Sequence, residues 1–228
     1  MTVRNPFSEL NRFEWILYIL SSVAVILTGV FGGGDGWMST GASFIGVTAL
    51  IFVAKGDVFG QILTLIFAVF YGIISWSFDY YGEMVTYMCM TAPIALASVI
   101  SWIRHPYKDS HEVEVAVLSS RNIVCMWVLT VAVTGAFYFI LGALGNANLL
   151  VSTLSVTTSF LASYLTLFRS PYYAVAYAAN DVVLIVLWVM ASMTDIKYLS
   201  MVVCFIAFFA NDMYGFYNWK RMQKFQRK

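Results

Sequence analysis

Apolar residues fall into eight blocks along the 228-residue chain: 13–31, 38–54, 58–78, 84–103, 122–144, 147–168, 172–193 and 197–219. A helix needs about 20 apolar residues to cross the hydrocarbon of a bilayer, and each block comes close to that length. The breaks between blocks carry turn chemistry. They read Gly32-Gly33-Gly34-Asp35-Gly36, Lys55-Gly56-Asp57, Asp79-Tyr80-Tyr81-Gly82-Glu83, a polar stretch over 104–121, Gly145-Asn146, Arg169-Ser170-Pro171 and Met193-Thr194-Asp195. The pattern predicts an all-α integral membrane protein, one domain over 1–228, with eight transmembrane helices.

Composition agrees. The chain is 61% hydrophobic and 11% charged. Its mean hydropathy is +0.78. A soluble domain of this size lacks the interior volume to hide so much apolar surface.

The charges then orient the helices. With eight crossings, Arg4, Arg12, Lys55, Arg104, Lys108, Arg121, Arg169, Lys220, Arg221, Lys224, Arg227 and Lys228 share one side. Only Lys197 falls opposite, with Asp35, Asp79, Glu83 and Asp195. Basic residues accumulate in cytoplasmic loops because they are hard to translocate. Both termini are therefore expected in the cytoplasm. Charges at Glu9, Arg12 and Glu14 run up to an apolar stretch of full spanning length, so the N-terminus reads as a helix and not as a signal peptide. The basic run 220–228 is expected to be mostly solvated and to hold the last helix at anionic headgroups.

The chain also repeats. Tyr-Gly-x-x-x-Trp occurs at Tyr71–Trp76 and again at Tyr214–Trp219, but these helices run in opposite directions, and aromatic belts at both interfaces account for it. A shift of about 112 to 117 residues works better. It pairs Lys55-Gly56-Asp57 with Arg169-Ser170-Pro171, Trp76 with Trp188, and Trp102-Ile103-Arg104 with Trp219-Lys220-Arg221. Blocks over 38–103 then form one repeat and those over 147–219 a second of the same orientation. Block 122–144 links them, and 13–31 is an extra helix. Parallel repeats of this kind are a known transporter architecture.

Two carboxylates lie deep in a span, Asp181 and Asp212, each preceded by an Asn (Asn180, Asn211). A charge in hydrocarbon costs several kcal/mol, so such residues face a cavity or bond a neighbouring helix. Helical spacing adds Tyr177 and Trp188 on the seventh helix, Gln61 and Tyr71 on the third, Tyr87 on the fourth and Tyr214 on the eighth. Aromatic faces beside amides and carboxylates describe a midplane pocket for a flat ring with a polyhydroxyl appendage, and suit a cationic ring.

Other chemistry is absent from the sequence. His105 and His111 fall in the 104–121 loop, and Cys89, Cys125 and Cys204 sit unpaired in spans. No phosphate-cradling glycine loop or HExxH motif occurs. No cofactor, metal or nucleic-acid partner is expected. An intramembrane enzyme acting on a lipid is the alternative from another class, but no nucleophile–base pair supports it. Loops this short leave little surface for a signalling scaffold.

The stretch from Ile45 to His105, with Lys55-Gly56, Tyr71-Gly72, Tyr81-Gly82-Glu83, Pro93 and Trp102, resembles the PnuC vitamin B3 transporters. Asn180-Asp181…Trp188 and Asn211-Asp212-x-Tyr214-Gly215…Trp219 extend the resemblance over nearly the whole chain. It implies facilitated-diffusion uptake of nicotinamide riboside across a bacterial inner membrane. It further implies trapping by a cytoplasmic kinase, a 3+1+3 core similar to the SWEET transporters, and a homotrimer. Related carriers take other vitamins such as thiamine, and a proton-coupled variant would use Asp181.

Overall fold

The structure, a computed structural model, describes residues 5–31, 36–77, 81–108, 110–146, 148–194, 196 and 199–227. The turn at Gly32–Gly34 and the charges Arg4, Asp35, Asp79, Asp195, Lys197 and Lys228 lie outside the described residues.

Every regular element described is a helix. A short 3-10 turn (Pro6–Glu9) precedes α1 (Arg12–Phe31), α2 (Gly36–Ala54) and α3 (Val58–Ser77). Then come α4 (Tyr81–Val85), a π-helical segment (Thr86–Thr91) and α5 (Ala92–Arg104), stacked as one continuous span. They are followed by α6 (Ser120–Ala143), α7 (Leu149–Leu167), α8 (Tyr173–Ser192) and α9 (Leu199–Gln226). Six of these spans are long and apolar enough to cross a membrane: those of α1, α3, α4–α5, α6, α7 and α8. The described apolar stretch of α2 is shorter, Thr40–Ala54. In α9, Asn211, Asp212 and Asn218 interrupt the apolar run.

The π segment has a covalent cause. Pro93 has no N–H to give to the carbonyl four residues back, and its ring would strike that carbonyl. The helix widens by one residue: the Ala92 N–H bonds Tyr87 O, and the Thr91 hydroxyl reaches Thr86 O at 3.3 Å.

Six spans close a ring, in the packing order α2, α3, α4–α5, α7, α8, α9 and back to α2. The two others lie outside it, α6 against α7 and α1 against α2 and α9. Much of α6 faces outward, with Val124, Trp127, Val128, Val131 and Phe139 exposed, as a lipid-facing helix requires. A buried charge ties α1 to the ring. Glu14 and Asn11 cap the start of α1 reciprocally (2.7 and 3.0 Å). Glu14 also accepts from Lys55 Nζ at 3.2 Å and from the Tyr214 hydroxyl at 2.6 Å.

The end of the ring that carries Lys55, Arg104, Arg169 and Lys220 is the basic end. It is sealed by Trp102, Trp219 and Tyr173, all essentially inaccessible, with the two indoles 5.4 Å apart. The indole N–H of Trp102, on α5, donates to Thr166 O at the close of α7 (3.0 Å). That of Trp219, on α9, donates to Val53 O at the close of α2 (2.9 Å). Ser101 and Asn218, one residue earlier in each case, donate to Leu167 O (3.0 Å) and Ala54 O (2.9 Å). Each turn that follows contains a left-handed residue, Gly56 (φ +71°) or Arg169 (φ +54°). Glycine takes this conformation without a Cβ penalty, whereas Arg169 must be held there by its surroundings.

The 104–121 segment is a belt across this end. Val113 N bonds Gly56 O and Ala116 N bonds Arg169 O, both at 2.9 Å. Val113 itself is buried in the tryptophan cluster. The charges of the basic tail are mostly solvated, as expected, but the segment is helical and docked. It continues α9 to Gln226, whose amide accepts from Val115 N at 2.7 Å and donates to Val113 O at 3.1 Å. Met222 packs into the tryptophan cluster, and Lys220 Nζ sits 4.0 Å over the Tyr172 ring. Arg221, Lys224, Phe225 and Arg227 are the exposed residues among those described over 220–227. The belt gives the helix end a protein partner, so α9 continues to Gln226.

Candidate functional site

A cavity of about 510 Å³ occupies the middle of the ring, within the usual range of small-molecule sites. Its wall reaches from Gln61 and Ser163 to Tyr81, Gly145 and Asn146 in the connections at the far end, and excludes Trp102, Tyr173 and Trp219. It is thus closed toward the basic end.

Of the ten residues expected, eight line it: Gln61, Tyr71, Tyr87, Tyr177, Asn180, Asp181, Trp188 and Asp212. Asn211 and Tyr214 do not. Asn211 is buried against α1: its amide donates to Ser21 Oγ of α1 (2.9 Å) and to Ala207 O of its own helix (2.8 Å). Tyr214 is engaged with Glu14 of the same helix. Successive residues on a helix point about 100° apart, so Asn211 turns from the cavity that Asp212 faces. Trp76 is 66% exposed and outside the cavity, as a belt residue would be, whereas Trp188 is part of its wall.

Asn180 is buried, and its oxygen accepts from Ser155 Oγ (3.0 Å) and Thr158 Oγ1 (2.9 Å) of α7. This fixes the amide and leaves its NH₂ for the cavity. Asp181 and Asp212 adjoin each other, and Asp181 Oδ2 is buried without a hydrogen-bond donor. Two carboxylates this close in a low-dielectric interior repel, so the pair shares a proton in a side-chain hydrogen bond or needs positive charge beside it. Phe67, Tyr71 and Tyr87 form an aromatic cluster, with the two tyrosine rings 4.6 Å apart.

Three contributions go beyond the expected set. Glu83, which reads in the sequence as a loop charge, stands in the first turn of α4 and lines the cavity. Helix α7 supplies Ser152, Ser155, Ser159 and Ser163, a stripe at three- to four-residue spacing. Phe67 adds a further ring. Among the described residues, the ionisable acids and bases of the wall are Glu83, Asp181 and Asp212, with no Lys, Arg or His. No cluster of His, Cys, Asp and Glu there could hold a metal ion.

A ring of helices, four of them long and apolar enough to cross a membrane, around a polar and aromatic cavity sealed at one end suits a small-solute carrier. The chain belongs to the nicotinamide mononucleotide transporter family, whose description matches residues 36–221. It is similar to the nicotinamide riboside transporter PnuC of Neisseria mucosa, 27% identical over 97% of this chain and 86% of that protein. It is also similar to the protein of the same name from Haemophilus influenzae, 24% identical over 83% and 82%. The fold matches a crystal structure of the vitamin B3 transporter PnuC with a TM-score of 0.80, at 23% identity over 96% of this chain and 94% of that one. These relatives are transporters, not enzymes.

Proposed function

We propose that the chain carries nicotinamide riboside across a bacterial inner membrane by facilitated diffusion, with a cytoplasmic kinase trapping the product. The observation that carries this reading is the cavity wall: stacking rings and amides, with acidic groups as its only formal charges among the described residues. A pyridinium nucleoside has a flat cationic ring, a carboxamide and a ribose. Aromatic faces and carboxylates favour the ring, while Asn180, Gln61 and the α7 serines suit the amide and hydroxyls. The family description names a mononucleotide, and the curated relatives are named for the riboside. A phosphate dianion would meet Glu83, Asp181 and Asp212 with no cation among the described residues of the wall to hold it, so the riboside fits better.

The reading includes eight crossings, a 3+1+3 parallel repeat plus α1, both termini in the cytoplasm and a trimer. The repeat is supported by the reciprocal bonds at the basic end. Trp102 and Ser101 grip the close of α7 as Trp219 and Asn218 grip the close of α2, under the shift found in the sequence. The termini follow from the basic loops. A reporter active only in the cytoplasm is expected to give signal when fused to either end. A silent N-terminal fusion beside an active C-terminal one would remove one crossing.

Liposomes containing the protein are expected to equilibrate nicotinamide riboside without ATP or an ion gradient, and to discriminate against nicotinamide mononucleotide, thiamine and a hexose. The Asp181–Asp212 pair favours one further reading, proton coupling. Accumulation driven by a proton gradient and lost in Asp181→Asn would replace the uniporter with that mechanism. Preferred uptake of thiamine would replace the substrate.

A further inference from the structure

The mouth of the cavity contains a feature that transport of a nucleoside does not by itself require. Phe67 and Tyr71 come from α3, and Tyr87 comes from the π segment, whose extra residue per turn shifts the side chains that follow it. The three rings stand in mutual contact, at centroid distances of 5.5, 5.9 and 4.6 Å and interplanar angles of 33°, 84° and 52°. Rings set at such angles present both faces and edges to one space. Glu83 adjoins this cluster on its tyrosine side: it accepts from the Tyr71 hydroxyl and lies near Tyr87. It is on the first turn of α4, beside the far-end residues Tyr81 and Asn146 that complete the rim. A carboxylate beside a cluster of aromatic rings is a construction that recognises organic cations. The other carboxylates of the cavity, Asp181 and Asp212, project from α8 and α9 and are occupied with each other.

We propose that Glu83, beside Tyr71 and Tyr87 in the wall that also holds Phe67, is the residue that selects substrates for a positively charged ring. It acts at the cavity mouth, ahead of the deeper amides and the Asp181–Asp212 pair. The proposal rests on the riboside reading and adds the origin of its charge preference. Nicotinamide riboside and its reduced dihydro form share the carboxamide and ribose and differ in ring charge, so the pair isolates that term.

Calorimetric titration of the purified protein with both compounds tests it. Wild-type protein is expected to prefer the cationic form by about tenfold or more, the scale of a desolvated cation–π and carboxylate contact. In Glu83→Gln, which keeps the shape and the tyrosine partner, that preference is expected to fall by about tenfold, with affinity for the neutral form unchanged. Tyr87→Leu is expected to reduce it in the same direction and serves as a second variant, with folding of both checked by gel filtration. Unchanged preference in folded Glu83→Gln, or its loss in Asp181→Asn alone, would overturn the assignment while leaving the riboside reading in place. Wild-type protein that binds neither compound would overturn both.

Discussion

Trp219→Ala is expected to destabilise the protein by about 3–5 kcal/mol, the usual cost of removing a fully buried Trp. In a chain of this size that corresponds to a drop of about 6–20 °C in melting temperature, measured in detergent. The indole is essentially inaccessible, donates to Val53 O at 2.9 Å, and packs 5.4 Å from Trp102 and 4.9 Å from Tyr173. Its loss opens a void at the basic end and leaves a buried carbonyl at the close of α2 without that donor. Lipid is as apolar as the core, so what is lost is packing and hydrogen bonding, with little hydrophobic transfer. Trp219→Phe should cost less, about 1–2 kcal/mol, because a ring remains and chiefly the hydrogen bond goes. The same pair of substitutions at Trp102 should behave alike, since it grips Thr166 O in the same way. A Trp219→Ala protein that melts with wild type would show that the seal carries no weight.

Asn180→Ala is expected to weaken binding of nicotinamide riboside by about ten- to a hundredfold, the value of one buried polar partner. Its oxygen is already engaged with Ser155 and Thr158, so the variant also removes an acceptor from two hydroxyls on α7, of which Thr158 still has Leu154 O and Ser155 O. Trp188→Ala should lose a comparable amount through its ring. Trp76→Ala, exposed to lipid, should bind as wild type does. Calorimetry on gel-filtered protein reads all three. If Trp76→Ala abolishes binding while the other two are silent, the site lies in the other half of the ring. If all three are silent, the cavity is not the binding site.

The polar residues that reach the cavity were legible because hydrocarbon leaves them nowhere else to go. A carboxylate in mid-span must face protein, and the 3.6-residue period then groups Tyr177, Asn180, Asp181 and Trp188 on one broad face. What periodicity does not fix is which of several protein-facing directions holds the cavity. Asn211 and Tyr214 face protein too, but that protein is α1. The α7 serines were harder to read. Serine and threonine satisfy themselves on the carbonyl a turn back, as Thr153, Thr157 and Thr166 do here, so they are unremarkable in membrane helices. Glu83 was hidden by a boundary. With the helix begun at 84 it is a loop charge, and with α4 begun at Tyr81 it joins the wall. Pro93 was the available signal for the widened turn below it. The belt was the least legible, because its bonds join backbone groups far apart in sequence.

That belt sets a length. From Val113 to Ala116 is three residues, which fully extended span at most about 10 Å. Its two ends hold the Gly56 and Arg169 carbonyls, one on each half of the ring, and Gln226 fastens α9 to the same segment. The basic end can therefore part only by that distance before a tether must let go. When one does, the freed peptide groups meet water at the membrane surface, so each release costs only about 0.5–1.5 kcal/mol. The halves are leashed at this end by a stop that yields to modest force, while the far end carries no such strap among the described residues.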